Sequence, residues 1–466
     1  MYPTASLAVP TKPAPAIRGI APQIAFNDGL RNHHLANTAY PIGHRSTIWR
    51  HRVPATQHAA LLRRDFGGSD PMCLYAHIPF CQTRCSFCEY CVIDRHDPER
   101  EDLYQRSLLK ELDLHVAALG LEGKPLSGFD IGGGTPSLIN PRHIGALVER
   151  VLRTFRTAPG FGMSIETTPR VAALEPDRLV TLRSFGIDRI SMGLQMINPR
   201  LLQAYDRSLH EAGFNRPAVD AIRRAGFRQF NIDLMYGFAR QSPDDFAATL
   251  RATIRLQPDV ITLYRMRYKG TRIEQESDSV TWDRVVLLHE LAREHLLAAG
   301  YHANPGKNAF TRDASNPGTS AYLTRRVIDG MPYLGIGLGA QTFTGRLLGY
   351  NHGAASKKLD AWLASVAAGQ LPIQDLYDLP PSEGMAKMLA VSFYFGEIDL
   401  DAFRLRFGTD LREAFPLEVE FVLTRGLMAL QGTKVRLTEA GAKVFPGVVA
   451  LFYSNAVKAH LHVCAS

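Results

Sequence analysis

Cysteine is scarce in this chain. Six cysteines among 466 residues are too few for a disulfide scaffold. Long apolar runs are missing as well, since none approaches the ~20 residues that a membrane-spanning helix needs. The N-terminus has no apolar core behind basic residues, so secretion is not expected and a cytoplasmic setting is. Basic blocks of the kind found in nucleic-acid-binding tails are absent, although the net charge is +8. Neither a nucleic-acid partner nor a membrane partner is therefore expected. The diffuse positive charge suits instead an acidic protein partner or an anionic substrate. The remaining composition, 45% hydrophobic and 21% charged, is that of a globular protein with room for two or three domains.

The cysteines that are present are concentrated. Cys81, Cys85 and Cys88 form a C-x3-C-x2-C array directly after the apolar stretch Leu74-Tyr75-Ala76-His77-Ile78-Pro79-Phe80. Thiolates on a short loop favour iron–sulfur clusters or zinc over magnesium or calcium. Zinc sites usually draw on two separated pairs of ligands. Here the remaining cysteines are Cys73, Cys91 and Cys464, and a zinc site would need Cys91 as a fourth ligand from the same short stretch. Three thiolates can instead hold three irons of a 4Fe-4S cubane and leave the fourth iron open for chemistry.

From residue 73 onward, strand-like and helix-like segments alternate. Expected strands are 73–78, 128–132, 162–167, 188–194, 229–236 and 259–266, with helices such as 99–119, 141–157, 199–205, 216–225 and 244–256 between them. Alternation of this kind implies parallel βαβ units. In barrels built from such units the working residues sit at the C-terminal ends of the strands. Those ends carry four polar motifs. They are Phe129-Asp130-Ile131-Gly132-Gly133-Gly134-Thr135-Pro136, Ser164-Ile165-Glu166-Thr167-Thr168-Pro169-Arg170, Ile190-Ser191-Met192-Gly193-Leu194-Gln195 and Asn231-Ile232-Asp233-Leu234-Met235-Tyr236-Gly237. The glycine run is not the G-x-G-x-x-G of a dinucleotide site. Residues 1 to about 70 are rich in Pro and Ala and read as an extended or partly ordered arm. Another glycine-rich element is Tyr333-Leu334-Gly335-Ile336-Gly337-Leu338-Gly339-Ala340, and beyond about residue 380 the pattern is helical.

With these motifs in this order, the chain resembles the radical S-adenosylmethionine (SAM) superfamily. More narrowly it resembles the HemN-like group around oxygen-independent coproporphyrinogen III dehydrogenase, whose relatives include class C radical SAM methyltransferases, cyclopropanases and a haem chaperone. The resemblance runs from about residue 73 to about residue 450. It implies an α/β fold, a partial (β/α)6 radical SAM barrel with an N-terminal arm (1–70), a core with its extension (71–375) and a helical, winged-helix-like C-terminal domain (376–466). It implies a 4Fe-4S cluster on Cys81, Cys85 and Cys88, two SAM molecules, a small-molecule substrate, a flavodoxin or ferredoxin-type electron donor, and a monomer. By the same resemblance Gly133, Gly134 and Thr135 meet the SAM amino group, and Glu166 meets the amino group or ribose. Gln195, Arg207 and Asp233 match further SAM contacts: a guanidinium suits the methionine carboxylate, and a carboxylate suits ribose hydroxyls. Tyr75 and Phe87 are aromatic positions beside SAM, and Arg267 belongs to the same cofactor set.

The chain also departs from the group. Cys91 lies three residues after Cys88 where the dehydrogenases place a cysteine two residues after, and Glu89-Tyr90 replaces a small residue. Cys91 reads as a bystander. Tyr322-Leu323 falls where the dehydrogenases carry a Phe-Gln pair beside a second SAM, and Arg267 falls where they carry a small residue. These changes favour one-carbon transfer, by methylation or cyclopropanation, onto an sp2 carbon of a secondary metabolite. The alternatives are oxidative decarboxylation of coproporphyrinogen III, with Arg265, Arg267, Lys269 and Arg272 available for propionates, or a haem chaperone without turnover.

Overall fold

The structure is a computed structural model that describes residues 19–94 and 97–465. Six parallel strands form its centre: β1 (Met72–Ile78), β2 (Pro125–Gly133, with the short β3, Arg156–Thr157, clipped to its start), β4 (Met163–Thr167), β5 (Arg189–Gln195), β6 (Gln229–Tyr236) and β7 (Val260–Arg265). They lie side by side in that order. At one edge β8 (Ala309–Thr311) pairs antiparallel with β7. At the other, β9 (Tyr333–Ile336) joins β1 in parallel and antiparallel β10 (Gln341–Phe343), β11 (Leu347–Asn351) and β12 (Ile373–Asp378) extend the sheet. The sheet does not close, so the expected partial (β/α)6 barrel is what the chain forms. The expected boundaries fall within three residues of the observed strands.

The local sequence explains why helices return between the strands. Six of them open on proline, at Pro98, Pro141, Pro169, Pro176, Pro199 and Pro243. Proline is at home there because its missing N–H would have had no partner in the first turn. The residue before it is Asp97, Asn140, Asn198 or Ser242 in four cases, and each side chain accepts a backbone N–H of the first turn. Each such signal stops a strand-end loop at a fixed residue and holds the loop in place. One face of each strand is apolar and packs in the core, while Asp130, Ser164, Glu166, Ser191, Asp233 and Thr262 line the cavity from the other. In β1 every residue except Tyr75 is fully buried.

The stretch expected as an extended arm is folded from residue 19 onward. Helix Pro22–Arg31 packs on helices Phe445–Leu451 and Asn455–Ala465, and a Cβ on Gly29 would come within 2.7 Å of that on Ala450. Ala25, Ala36, Tyr40 and Ile42 share one hydrophobic core with residues 386–461. Prolines do not prevent this: Pro22 opens the helix and Pro41 sits in the loop after it. Pro3, Pro10, Pro13 and Pro15 lie outside the described residues. The C-terminal segment carries a small antiparallel sheet, β13 (Glu397–Asp399), β14 (Met428–Gln431) and β15 (Lys434–Leu437), among helices. The limit expected at 375/376 falls inside β12, whose last residues still pair with β11. No described helix is long and apolar enough to cross a membrane.

Candidate active site

The C-terminal ends of the parallel strands open into one cavity of about 870 Å3. Every residue assigned to the cluster or to SAM lines it: Cys81, Cys85, Cys88, Tyr75, Phe87, Gly133, Gly134, Thr135, Glu166, Gln195, Arg207, Asp233 and Arg267. Of the other cations expected for propionates, Arg265 lines it, whereas Lys269 and Arg272 do not, and Arg272 pairs with Asp206.

The cysteine loop leaves β1 and is fastened at both ends. Ile93 N–H donates to Pro79 O at 2.7 Å and Cys81 N–H to Ile93 O at 3.0 Å, so the loop closes on itself. It is also tied to the glycine turn after β2, because Gly134 N–H donates to Ile78 O and Thr135 N–H to Phe80 O, at 2.8 and 2.7 Å. This approach explains the glycines. A Cβ on Gly134 would sit 2.6 Å from Phe80 O, and one on Gly133, whose φ is +124°, would sit 2.7 Å from the His77 ring. Thr135 Oγ1 lies 3.5 Å from Cys81 Sγ. His77 Nε2 lies 2.8 Å from Cys91 O, which fixes the proton there and makes Nδ1 the acceptor for Tyr75 OH at 3.2 Å.

The sulfur atoms sit in poor surroundings for bare thiolates. Burial pushes the Cys81 thiol up to about 12 and raises that of Cys88. A metal centre would supply the positive charge that deprotonates them. Arg207 Nη1 donates to Cys85 Sγ at 3.3 Å while Nη2 donates to Gly193 O. Among the described residues no three His, Cys, Asp or Glu side chains are placed to hold a single metal ion. A cubane asks for a different arrangement, one thiolate for each of three separate irons.

Opposite the cysteines stands an acidic wall. Glu166 Oε2 accepts Gly133 N–H at 3.0 Å. Its carboxylate lies deep inside the protein, yet its surface is open to the cavity. Burial and the nearby Asp233 charge raise its pKa to about 7. Asp233 accepts Ser191 Oγ and Asn231 Nδ2, both at 2.7 Å, and Thr262 Oγ1 anchors Asn231 in turn. Burial still raises the Asp233 pKa. Gln195 ends β5 with φ at +68°, rare for a residue with a side chain. Gln195 Oε1, Arg207 Nε and Asp130 Oδ1 are buried without a protein partner. Thiols around a loop, a carboxylate wall and unmatched polar atoms on one cavity are the donor set that a cluster and a zwitterionic nucleoside such as SAM would satisfy.

Two expected contacts carry structural duties as well. Phe87 packs edge-on against Phe238, with ring centroids 5.3 Å apart, beside Tyr205. Arg267 forms an ion pair with Glu89. The two departures noted in the sequence are thus one feature: the larger, charged residue in the cysteine loop is balanced by the arginine after β7. Cys91 donates its thiol to Gly353 O at 3.0 Å and is buried. Sequence reasoning missed Arg326, Lys387 and Tyr394, and it did not decide the place of the N-terminal stretch, whose residues 37–41 and His44 also line the cavity. They come from segments without a local signal, brought in by tertiary packing.

Fold and site together define a radical SAM protein. The chain matches the Radical SAM superfamily over residues 75–253 and the HemN C-terminal domain over residues 395–444. It is 31% identical to an oxygen-independent coproporphyrinogen III oxidase of Paracoccus denitrificans, over 64% of this chain and 67% of that one. It is 28% identical to the heme chaperone HemW of Mycobacterium tuberculosis, over 81% and 94%. The fold is that of the coproporphyrinogen III oxidase HemN of Escherichia coli, with a TM-score of 0.73 at 21% identity over 89% of this chain and 96% of that one. Within the superfamily, this chain belongs to the HemN family. The fold implies a 4Fe-4S cluster and SAM. The matched relatives bear coproporphyrinogen oxidase and haem chaperone names, not methyltransferase names.

Proposed function

We propose that this chain cleaves SAM reductively and uses the resulting radical on a carboxylate-bearing tetrapyrrole. The single observation that carries the reading is the cavity. It joins the cysteine loop, the acidic wall and the cations Arg326 and Lys387 in one space of about 870 Å3, large enough for a cofactor and a macrocycle edge. A cluster-bound SAM supplies, on one-electron reduction, a carbon radical that removes hydrogen from a C–H bond.

The protein's own groups bind and orient. Cys81, Cys85 and Cys88 hold the cluster, and Gly133, Gly134 and Thr135 present backbone to the SAM amino group. Glu166 pairs with that group, Arg207 with the methionine carboxylate and Asp233 with ribose hydroxyls. Tyr75, Phe87 and Gln195 shape the nucleoside pocket. Arg267 acts through Glu89 by fixing the cysteine loop. A complete SAM-side set favours turnover over a purely haem-carrying role.

The names of the relatives favour oxidative decarboxylation of a propionate as the outcome. A one-carbon transfer is the second reading, supported by Tyr322. Its ring stacks 5.9 Å from Tyr75 inside the cavity, where the resemblance leads one to expect a Phe-Gln pair. An acidic flavodoxin or ferredoxin suits the +8 chain as electron donor. The test is anaerobic turnover of the reconstituted protein with reductant, SAM and coproporphyrinogen III or haem, followed by mass spectrometry. Deoxyadenosine with a tetrapyrrole that has lost carbon dioxide and two hydrogens, one of them carried by the deoxyadenosine, supports the first outcome. Deoxyadenosine with S-adenosylhomocysteine and a heavier tetrapyrrole supports the second. An unchanged tetrapyrrole, with SAM cleaved, rejects the substrate class.

A further inference from the structure

Two cations on the cavity wall form no ion pair with any acid among the described residues. Arg326 comes from helix Ala321–Val327 and Lys387 from helix Pro381–Ser392, and both line the cavity. The Arg326 guanidinium lies over Tyr322 and Tyr333, 5.4 and 4.8 Å from their ring centroids, and Nη1 donates to Tyr322 OH at 2.9 Å. Lys387 Nζ lies 5.1 Å from the Phe343 centroid and donates to Tyr40 O at 2.8 Å. The Tyr333 and Phe343 rings are themselves 6.3 Å apart, so an aromatic floor spans the two cations.

Two acids stand nearby, and the charge of one, Asp130, reaches Arg326 without forming an ion pair with it. Glu383, one turn before Lys387, accepts Tyr40 OH. Asp130, on β2, accepts Ser320 Oγ at 2.6 Å. Burial and the like charge of Arg326 pull the Lys387 pKa down to about 7. A third cation, Arg406, borders the narrow crevice beyond and donates to Thr344 O. Like charges gathered away from water are unfavourable unless a ligand brings the opposite charge. A forked guanidinium beside a point-charge ammonium is the recognition set for a carboxylate.

We propose that Arg326 and Lys387 form a carboxylate subsite in the wall of this cavity. This deepens the tetrapyrrole reading and rests on it for one of two sources of the carboxylate, a propionate of the macrocycle. The other source is the methionine end of a second SAM.

The experiment uses the full chain with its cluster reconstituted, under argon, and compares wild type with Lys387→Met and Arg326→Gln. Lys387→Met carries the test, because it exchanges a buried ammonium for a side chain of similar length and keeps the packing. Arg326→Gln also strips the stacking on two tyrosines. The probes are coproporphyrin III, its tetramethyl ester, and SAM, with porphyrin affinity read by fluorescence and SAM stoichiometry by equilibrium dialysis. Wild type is expected to prefer the free acid to the ester. Lys387→Met is expected to weaken the free acid about 10- to 100-fold, the usual scale for a bond to a charged group, and to leave the ester unchanged.

A loss of one bound SAM in Lys387→Met, with porphyrin affinity intact, supports the subsite with SAM as its occupant. If wild type binds coproporphyrin III but Lys387→Met binds both porphyrins and SAM as wild type does, the subsite is overturned while the tetrapyrrole reading stands. If wild type binds neither porphyrin, the tetrapyrrole reading fails and SAM stoichiometry alone decides: a loss of one SAM keeps the subsite, and no loss overturns it.

Discussion

Replacing Glu166 by Gln should move SAM binding and protein stability in opposite directions, each with its own pH dependence. The Glu166 pKa of about 7 means that the carboxyl is mostly ionised at about pH 8 and mostly protonated at about pH 6. A ligand that needs the carboxylate must first remove that proton. Its dissociation constant should rise about tenfold between those two pH values, and further toward about pH 5, since each pKa unit corresponds to a factor of ten. Glu166→Gln removes this dependence and weakens binding at about pH 8, where the charge is present in wild type. The SAM amino group titrates too, but equally in both proteins, so the difference between the two curves isolates Glu166.

Stability follows the other sign. An acid whose folded pKa is raised above its unfolded value of 4.5 is penalised for ionising in the fold. The penalty is absent below about pH 4.5 and complete above about pH 7. The whole shift would correspond to about 3 kcal/mol, but the carboxylate surface is open to cavity water, so about 1 kcal/mol is the reasonable expectation. Glu166→Gln should therefore raise the urea midpoint at about pH 8 and leave it unchanged near pH 4. The bond from Gly133 N–H survives, because the amide oxygen still accepts it. Anaerobic calorimetric titration with SAM and urea melts of SAM-free protein measure both arms. A variant that binds SAM with the wild-type slope would refute the reasoning and move the titrating role to Asp233.

Cys85→Ala should lose the cluster absorbance and all deoxyadenosine formation. Cys91→Ala should keep both and cost about 1 kcal/mol for the lost bond to Gly353 O. Iron content and visible spectra separate the two, and an iron-free Cys91→Ala would overturn the ligand assignment. Arg267→Met should lower cluster occupancy by leaving Glu89 unpaired in the cysteine loop. Adding Glu89→Gln should restore part of it, and additive losses in that pair would show that the two side chains do not act together. Gly134→Ala should push the glycine turn off Phe80 O and reduce SAM affinity more than iron content, as dialysis and iron assay would report.

The sequence made the barrel legible because its signals are local. A proline after Asp97, Asn140, Asn198 or Ser242 marks a helix start, and the apolar runs ahead of the motifs mark strand ends. The cysteine loop and the glycine turn were legible for the same reason, since both answer to nearby backbone. The folded stretch from Pro22 to Ile42 was not. Its apolar residues are few, and they find partners only among residues 386–461. Arg326 and Lys387 look like ordinary surface cations in their helices, and only the tertiary fold turns them toward the cavity. The Arg267 departure was visible as an anomaly, but its cause, Glu89, lies on another element and became apparent only in three dimensions.

That long-range packing bears on how a radical could be kept from water. The C-terminal segment reaches the barrel through Tyr394 OH, 3.0 Å from Tyr264 OH on β7. Trp282 Nε1 donates to Lys443 O at 2.8 Å on the same side. Residues 37–41 and His44 line the cavity from the N-terminal stretch, which is bound to the C-terminal one, because Tyr453 OH bonds both Asn37 N–H and Asn37 O, at 2.9 and 2.6 Å. Lys387 Nζ on Tyr40 O and Tyr40 OH on Glu383 add further ties. The two ends of the chain therefore form one cover with one core. These bonds tie residues 37–41 and the C-terminal helices to one another beside the cavity. Such coupling fits the chemistry, since a reactive carbon radical is protected only while every part of the cover is in place.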